Sequence, residues 1–407
     1  MNLLFISQKF PYPPYSDGDK LIIYNLIKNL AKDNKIFLVT FCSHEEVNYL
    51  DKIAPFCVDI VTVPLIDVKS NKLLNFKKFI HNVMTPKRFD SPQMASEIEK
   101  AIKIWNPDVV HVNLPMMSQY WRIIDKLPKI ISSVDAGSLY SYKNWKTRNN
   151  LLEKAKWYLF YRQAKHIESH FFPNFDACVV VSDEDKIFLR QHCPDLRIEV
   201  IPNGVDFEYF DTKYMKDEDL SENPSIGLFG VMRFPPNVDA ALYFMSKIYP
   251  LIKAEVPDVR FYIVGRYPIK SVMSLANGKD IIVTGEVEDI RTYYNKVSVV
   301  VVPTRIGSGI KNTILQAMSM SKPIVTTPQA VRAIAVENDV HLMIASEPVE
   351  FAKKIIRLLK NKSLREELGK NGRRLIVNKY LWEVRAEAYQ KLYNNILLQK
   401  RSGQGDK

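Results

Sequence analysis

Between Gly307 and Gln316 the chain reads GSGIKNTILQ, residue types suited to holding an anion beside neutral hydroxyls. Gly307, Ser308 and Gly309 are small, Ser308 can cap a helix, and Lys311 brings a cation into the expected first turn. The N–H groups of a helix N-terminus lack partners inside the helix, and the macrodipole adds partial positive charge. A lysine is a poor dipole partner at that end, so a bound anion would give Lys311 a reason to be there. Asn312 and Gln316 lie four apart, share a helix face and can hydrogen-bond hydroxyls.

Such a cradle needs a strand before it and a helix after it. The apolar run VSVVVV from Val297 predicts the strand. Ile310, Ile314, Ala317 and Met318 recur at helical spacing and predict a helix opening at the glycine turn and ending near Ser321. Pro323 then begins a second buried strand, Ile324 to Thr327.

The same strand-then-helix rhythm starts at the N-terminus. Apolar runs at NLLFIS, KIFLVTF, VDIVTV, DVVHV, IISSV, ACVVV and IEVI alternate with helical segments, which predicts a parallel sheet covered on both faces. Ligands of such sheets bind beyond the carboxyl ends of the strands. That rule singles out His111 to Asn113 and Asp135, while Gly18 sits in the turn before the first helix, where a backbone can approach a ligand closely. His111 lies inside a strand run and reads first as structural. Asp135 keeps two readings, a carboxylate that orients or deprotonates a hydroxyl and a cap for the next helix. From Phe207 to Pro224 the chain turns polar and reads as a linker. Sheet patterning restarts at Ile226, and three strand-end glycines, Gly230, Gly265 and Gly285, mark a second doubly wound domain. Lys143 to His170 is helical, basic and aromatic (Trp145, Lys146, Arg148, Lys154, Lys156, Trp157, Tyr158, Tyr161, Arg162, Lys165). It suits either an anionic lipid surface or a helix whose aromatics pack inward.

Composition narrows the classes. The 407 residues are 46% hydrophobic and 25% charged, ordinary for a globular chain of two or three domains. No apolar run approaches the ~18–20 residues that span a bilayer, and no secretory signal is visible, so a cytoplasmic protein is expected. The four cysteines are far apart without a CxxC pair, which favours reduced, buried thiols. The net charge of +12 is unaccompanied by a nucleic-acid-binding motif; it suits a lysine-rich surface or the anionic cytoplasmic leaflet.

Pro303 to Ala330 (PTRIGSGIKNTILQAMSMSKPIVTTPQA) resembles the donor-binding motif of retaining GT-B glycosyltransferases of the GT4 family, in its bacterial polysaccharide branch. GVMRFPPNVDAALYF from Gly230, GEVED from Gly285, IPNGVD from Ile201 and the helical tail from Gly369 are similar to further motifs of that family. The resemblance implies an α/β GT-B fold, two Rossmann-like domains facing across a cleft. Residues 1–205 would bind acceptor, 206–224 link, 225–379 bind the nucleotide sugar, and a helix near 380–400 return to the first domain; 401–407 are expected to be disordered. Donor contacts would fall on Gly18, Gly230, Asn237, Gly285, Val287, Ser308, Gly309, Ile310, Lys311, Asn312 and Gln316. Acceptor contacts would fall on Asp19, Lys20, His111 and Asp135. Asp135, Lys311 and Arg233 would carry the chemistry. No metal and no cofactor is implied beyond a UDP- or GDP-sugar as substrate, and the acceptor would be a glycan or lipid-linked oligosaccharide. The family's diphosphate-binding arginine and lysine would fall on Val231 and Asn237, which leaves Arg233 and Lys311 as replacements. Gln316 stands where the family has a ribose-binding glutamate, and glutamine offers one acceptor and one donor instead of a charge. A catalytically silent GT-B subunit is therefore the main rival expectation, with an epimerase or phosphorylase behind it.

Overall fold

Parallel strands must bury both faces, and this chain has enough apolar residues to do so twice. The computed structural model describes residues 1–14, 18–65, 90–214, 223–307 and 309–402. These divide into two units, one of Met1–Pro202 with the segment from Trp382, the other of Asn203–Leu381. Among the described residues each holds one all-parallel sheet.

The first sheet has β1 (Asn2–Ser7) near its centre, flanked by β2 (Lys35–Cys42) and β3 (Asp59–Pro64) on one side. On the other side follow β4 (Val109–Asn113), β5 (Lys129–Val134), β6 (Ala177–Val180) and β7 (Ile198–Val200). Alternate residues feed two cores. Leu4, Ile6, Val110 and Val112 pack with Met94 and Ile98 of a helix, Pro92–Trp105. Leu3, Phe5 and Val109 pack with Leu26 and Ile27 of α1 (Gly18–Leu30) and with Tyr389 and Tyr393 of the C-terminal helix, Trp382–Ser402. That helix includes Arg401 and Ser402, so the expected disorder does not begin at 401; residues 403–407 lie outside the described residues.

The basic, aromatic stretch is a hairpin of two helices, α2 (Gly137–Thr147) and α3 (Leu151–Phe171), broken where Asn150 accepts the N–H groups of Leu152 and Glu153. Its aromatics interlock between the helices: Trp145 stacks on Tyr161 at 6.0 Å and meets Tyr158 at 5.0 Å, and Tyr140 meets Trp157 at 5.6 Å. For these rings the inward-packing reading holds.

In the second sheet β8 (Ser225–Phe229) is central, with β9 (Arg260–Val264) and β10 (Ile281–Gly285) to one side. β11 (Val299–Val302), β12 (Ile324–Thr326) and β13 (Met343–Ile344) lie to the other. The expected linker is in part core of this unit. Phe210 is fully buried against Tyr294, Arg291 covers Tyr209, and Arg373 covers Phe207 and bonds Asp211. Residues 215–222 lie outside the described residues. All four cysteines are unbonded; three are buried and Cys57 is partly exposed. No described helix is long and apolar enough to cross a membrane.

His111 is fully buried on the α1 side of the first sheet, stacked on Phe5 at 4.4 Å, with Nδ1 2.6 Å from the Tyr393 hydroxyl. This interior place is structural and does not put the ring at the strand ends, so the acceptor role expected of His111 has no support in its position. Burial holds the ring neutral, its pKa pushed down from 6.5 to about 3. Between those values the unfolded chain binds a proton that the folded chain does not. His111 therefore takes away about 1.4 kcal/mol of stability per pH unit as pH falls below about 6.5, and adds no slope above it. Replacing His111 and Tyr393 together by Phe removes one ionisable imidazole and its partner. The expected outcome is a smaller loss of urea-unfolding free energy between about pH 7 and about pH 5.

Candidate active site

At the carboxyl edge of the second sheet, the strand-end glycines let two backbones touch. A Cβ on Gly265 would lie 1.7 Å from the Gly230 carbonyl oxygen, while Gly230 N–H donates to Val264 O at 3.0 Å. Gly230 in turn lies against Asn237, whose amide donates to Val231 O at 3.2 Å. Asn237 thus braces the turn after β8 from the first turn of α4 (Pro235–Tyr243). Gly285 ends β10 at a register shift, and Val287, two residues on, is partly buried against the core.

After β11 the chain runs through a loop clamped from outside. Thr327 Oγ1 donates to Thr304 O at 2.5 Å, and the Gln329 amide donates to Gly307 O at 2.8 Å. Arg305 forks onto Asp239 of α4 at 2.6 and 3.1 Å and covers Tyr243. Gly307 (φ 111°) and Gly309 (φ 69°) both need the left-handed region that glycine enters without strain. The Lys311 ammonium folds back over this loop, 3.2 Å from where a Gly307 Cβ would be. Ser308, expected as the helix cap, lies outside the described residues.

The helix itself, α5 (Asn312–Ser319), starts later than the periodicity predicts. Lys311 is its N-cap, without a side-chain cap hydrogen bond, and Ile310 stays in the loop as a partly buried residue against the core. Lys311 is therefore not a first-turn residue. The left-handed glycines keep the chain out of helix until Asn312.

Asn312 and Gln316 are already engaged. Asn312 Oδ1 accepts from the buried Asn203 amide at 3.0 Å. Gln316 Oε1 accepts from the Tyr294 hydroxyl at 3.2 Å. Tyr294 is fully buried and stacked on Phe229 at 4.0 Å; burial pushes its phenol far above the ordinary value, so it stays a donor. Beyond those bonds, each amide keeps chiefly its NH2 group for a ligand.

Arg233 is exposed, with its guanidinium 4.3 Å over the Tyr267 ring. Arg266 approaches the same ring at 5.5 Å. Tyr267 is 49% exposed and sits at φ 55°, a conformation costing a non-glycine residue about 1–2 kcal/mol. The sequence offered no signal for it, because an isolated left-handed tyrosine belongs to no periodic pattern. Such strain concentrates where a side chain has work to do.

At the carboxyl edge of the first sheet, Asp19 pairs with Lys9 at 2.5 Å, and Lys20 pairs with Glu46 and donates to Tyr12 O at 3.2 Å. Gly18 is exposed at the start of α1. Asp135 follows β5, its carbonyl accepting the Ser133 hydroxyl at 2.8 Å. It does not cap α2. Ala136 is the N-cap position, and carboxylates from afar take the N–H groups there: Asp185 Oδ1 from Ala136 at 2.9 Å and Glu168 Oε1 from Ser138 at 3.0 Å. Glu168 is buried and also meets His192 Nε2 at 2.9 Å. Asp19, Lys20 and Asp135 thus share one edge, whereas His111 is buried behind it.

Two doubly wound parallel sheets, the second carrying a glycine loop closed over by a lysine, define the GT-B class of fold. Solved structures agree at the level of fold. Sucrose-phosphate synthase from Thermosynechococcus elongatus aligns over 98% of this chain and 100% of its own, with TM-score 0.71 at 15% identity. Anabaena HepE, solved in complex with UDP and glucose, aligns over 97% and 100%, with TM-score 0.68 at 14% identity. Residues 22–209 match the family described as Glycosyltransferase Family 4, and residues 223–361 match Glycosyl transferases group 1. The chain belongs to the group 1, GT4-like glycosyltransferases. The capsular polysaccharide biosynthesis glycosyltransferase CapM of Staphylococcus aureus is 24% identical over 209 residues, 48% of this chain and 53% of that protein. The chain spans little more than half the length of the curated relatives it matches first.

If Arg233 meets a nucleoside diphosphate, as the family resemblance implies, Tyr267→Ala should release it and weaken that binding by about 2–5-fold, the scale of an exposed cation–π contact. Tyr267→Phe should retain wild-type affinity. Titration calorimetry with UDP and GDP on the three proteins measures this directly.

Proposed function

We propose that the chain transfers a sugar from a UDP- or GDP-sugar to a glycan or lipid-linked acceptor, without a metal and with retention of anomeric configuration. The setting would be synthesis of a bacterial surface polysaccharide, on the cytoplasmic side of the membrane. The observation that carries this reading is the Lys311 ammonium folded over the glycine loop after β11. A cation held there is placed for a diphosphate, as the family's donor motif implies.

The chemical difficulty is letting a nucleoside diphosphate leave an anomeric carbon. Negative charge grows on the diphosphate oxygen while the sugar becomes oxocarbenium-like. Fixed donors aimed at that oxygen lower the barrier, each by about 3–4 kcal/mol. Lys311 and Arg233 would supply charge, and the backbone of the Gly307–Gly309 loop would supply N–H groups. Gly230, Asn237, Gly285 and Val287 would shape the rest of the donor seat. The NH2 groups of Asn312 and Gln316 would donate to sugar or ribose oxygens. Asp135 would orient and deprotonate the acceptor hydroxyl, with Asp19 and Lys20 holding the acceptor.

A silent subunit is the second reading, favoured by the engagement of both Asn312 and Gln316 carbonyls. Melting the protein with UDP-, GDP-, ADP- and CMP-sugars, with and without EDTA, separates the two. A nucleotide-selective rise unaffected by EDTA is expected, worth about 2.7 kcal/mol at a hundredfold excess over Kd. No rise with any nucleotide at millimolar concentration would leave the silent subunit. Gln316→Glu keeps an acceptor for Tyr294 and adds charge-assisted bonding, so donor affinity should tighten by about 3–10-fold. Asp135→Asn should lower kcat by about a hundredfold or more while the donor-induced rise in Tm persists.

A further inference from the structure

The α2–α3 hairpin uses its aromatics internally, yet at the beginning of α3, where Glu153 pairs with Arg148 at 3.6 Å, two leucines stay in water. Leu151 to Lys156 are all exposed, with Leu151 81% and Leu152 84% accessible. Two adjacent leucines held this far into water are unfavourable unless something covers them. Helical geometry sets Leu151, Leu152 and Ala155 on one arc, under a third of the circumference, a turn before Tyr158 meets Trp145. Lys154 borders that arc on one side and Lys156 on the other, while Glu153 falls on the opposite face. Exposed Arg162 and Lys165 continue the positive charge along the helix, and Lys146 adds to it from α2.

We infer that this exposed start of α3 inserts into the interface of an anionic bilayer. The leucines would enter the headgroup–acyl boundary, and the flanking lysines would meet lipid phosphates. Charge complementarity selects this occupant: a narrow apolar arc rimmed by cations, with Glu153 on the opposite face and paired with Arg148, matches an apolar layer beneath negative headgroups. The inference stands on these surface residues and does not depend on the glycosyl-transfer reading.

Flotation of the full chain with vesicles tests it. One set would be phosphatidylcholine alone, the other two parts phosphatidylcholine to one part phosphatidylglycerol. Wild-type protein should float with the second set in preference to the first, and salt should weaken the preference. Leu151→Ser/Leu152→Ser should lower partitioning about tenfold or more. Lys154→Gln/Lys156→Gln should lower it about fivefold per cation, in the anionic vesicles only. All four positions are exposed, so an unchanged melting temperature certifies the variants as folded. Wild type that stays with the soluble fraction, or a leucine variant that floats equally well, would overturn the inference. So would a lipid-free dimer in light scattering that the leucine variant dissociates, because the arc would then serve a second copy of the chain.

Discussion

Both halves of this protein depend on one constraint: the first strand of each sheet lies in its interior, hydrogen-bonded on both sides. β1 is held by β2 and β4, and β8 by β9 and β11. From that strand the chain winds outward one way and then the other, and where the direction reverses, the connections part and leave the strand ends open. Interior strands cannot satisfy their backbone with water, so their pairing fixes everything attached to their ends. The loops bearing Gly18, Asp135, Gly230 and Lys311 owe their positions to this arrangement, and the shape of the last two to their glycines.

Much of the fold was legible because interior parallel strands are written as short β-branched runs. VVVV before the glycine loop is such a run, and LLFI in β1 is an apolar run of the same length. Legibility failed where conformation is set locally by single residues or by remote partners. Ile310 continues a helical apolar pattern, yet two left-handed glycines postpone the helix to Asn312. The stretch around Phe210 reads as polar linker because its charges outnumber its aromatics, but burial of three rings decides its place. Asn203 and Tyr294, which occupy the carbonyls of Asn312 and Gln316, lie 109 and 22 residues away in sequence. No spacing rule reaches that far, whereas the motif residues themselves needed none.

The two sheet edges also treat helix N-termini differently. At α2 the first N–H groups are taken by the protein's own carboxylates, Asp185 and Glu168, so the local positive potential is neutralised internally. At α5 the N-cap residue is Lys311, which makes no side-chain cap hydrogen bond and carries a charge of the same sign as the dipole. An anion bound at that terminus would be favoured by the helix dipole as well as by contact.

The C-terminal helix belongs to the first unit, although its sequence follows the second. Tyr389 and Tyr393 bring hydroxyls to Ser132 and His111, deep in the first sheet's interior. During synthesis, the strands of the first sheet therefore leave the ribosome well before the helix that closes their core. The second unit, uninterrupted in sequence, can finish first. Its opening and closing residues are tied to each other, Val205 N–H donating to Tyr380 O at 2.8 Å. A nascent chain of this protein would carry an unfinished apolar face until that helix emerges, a period when chaperones have the most to protect.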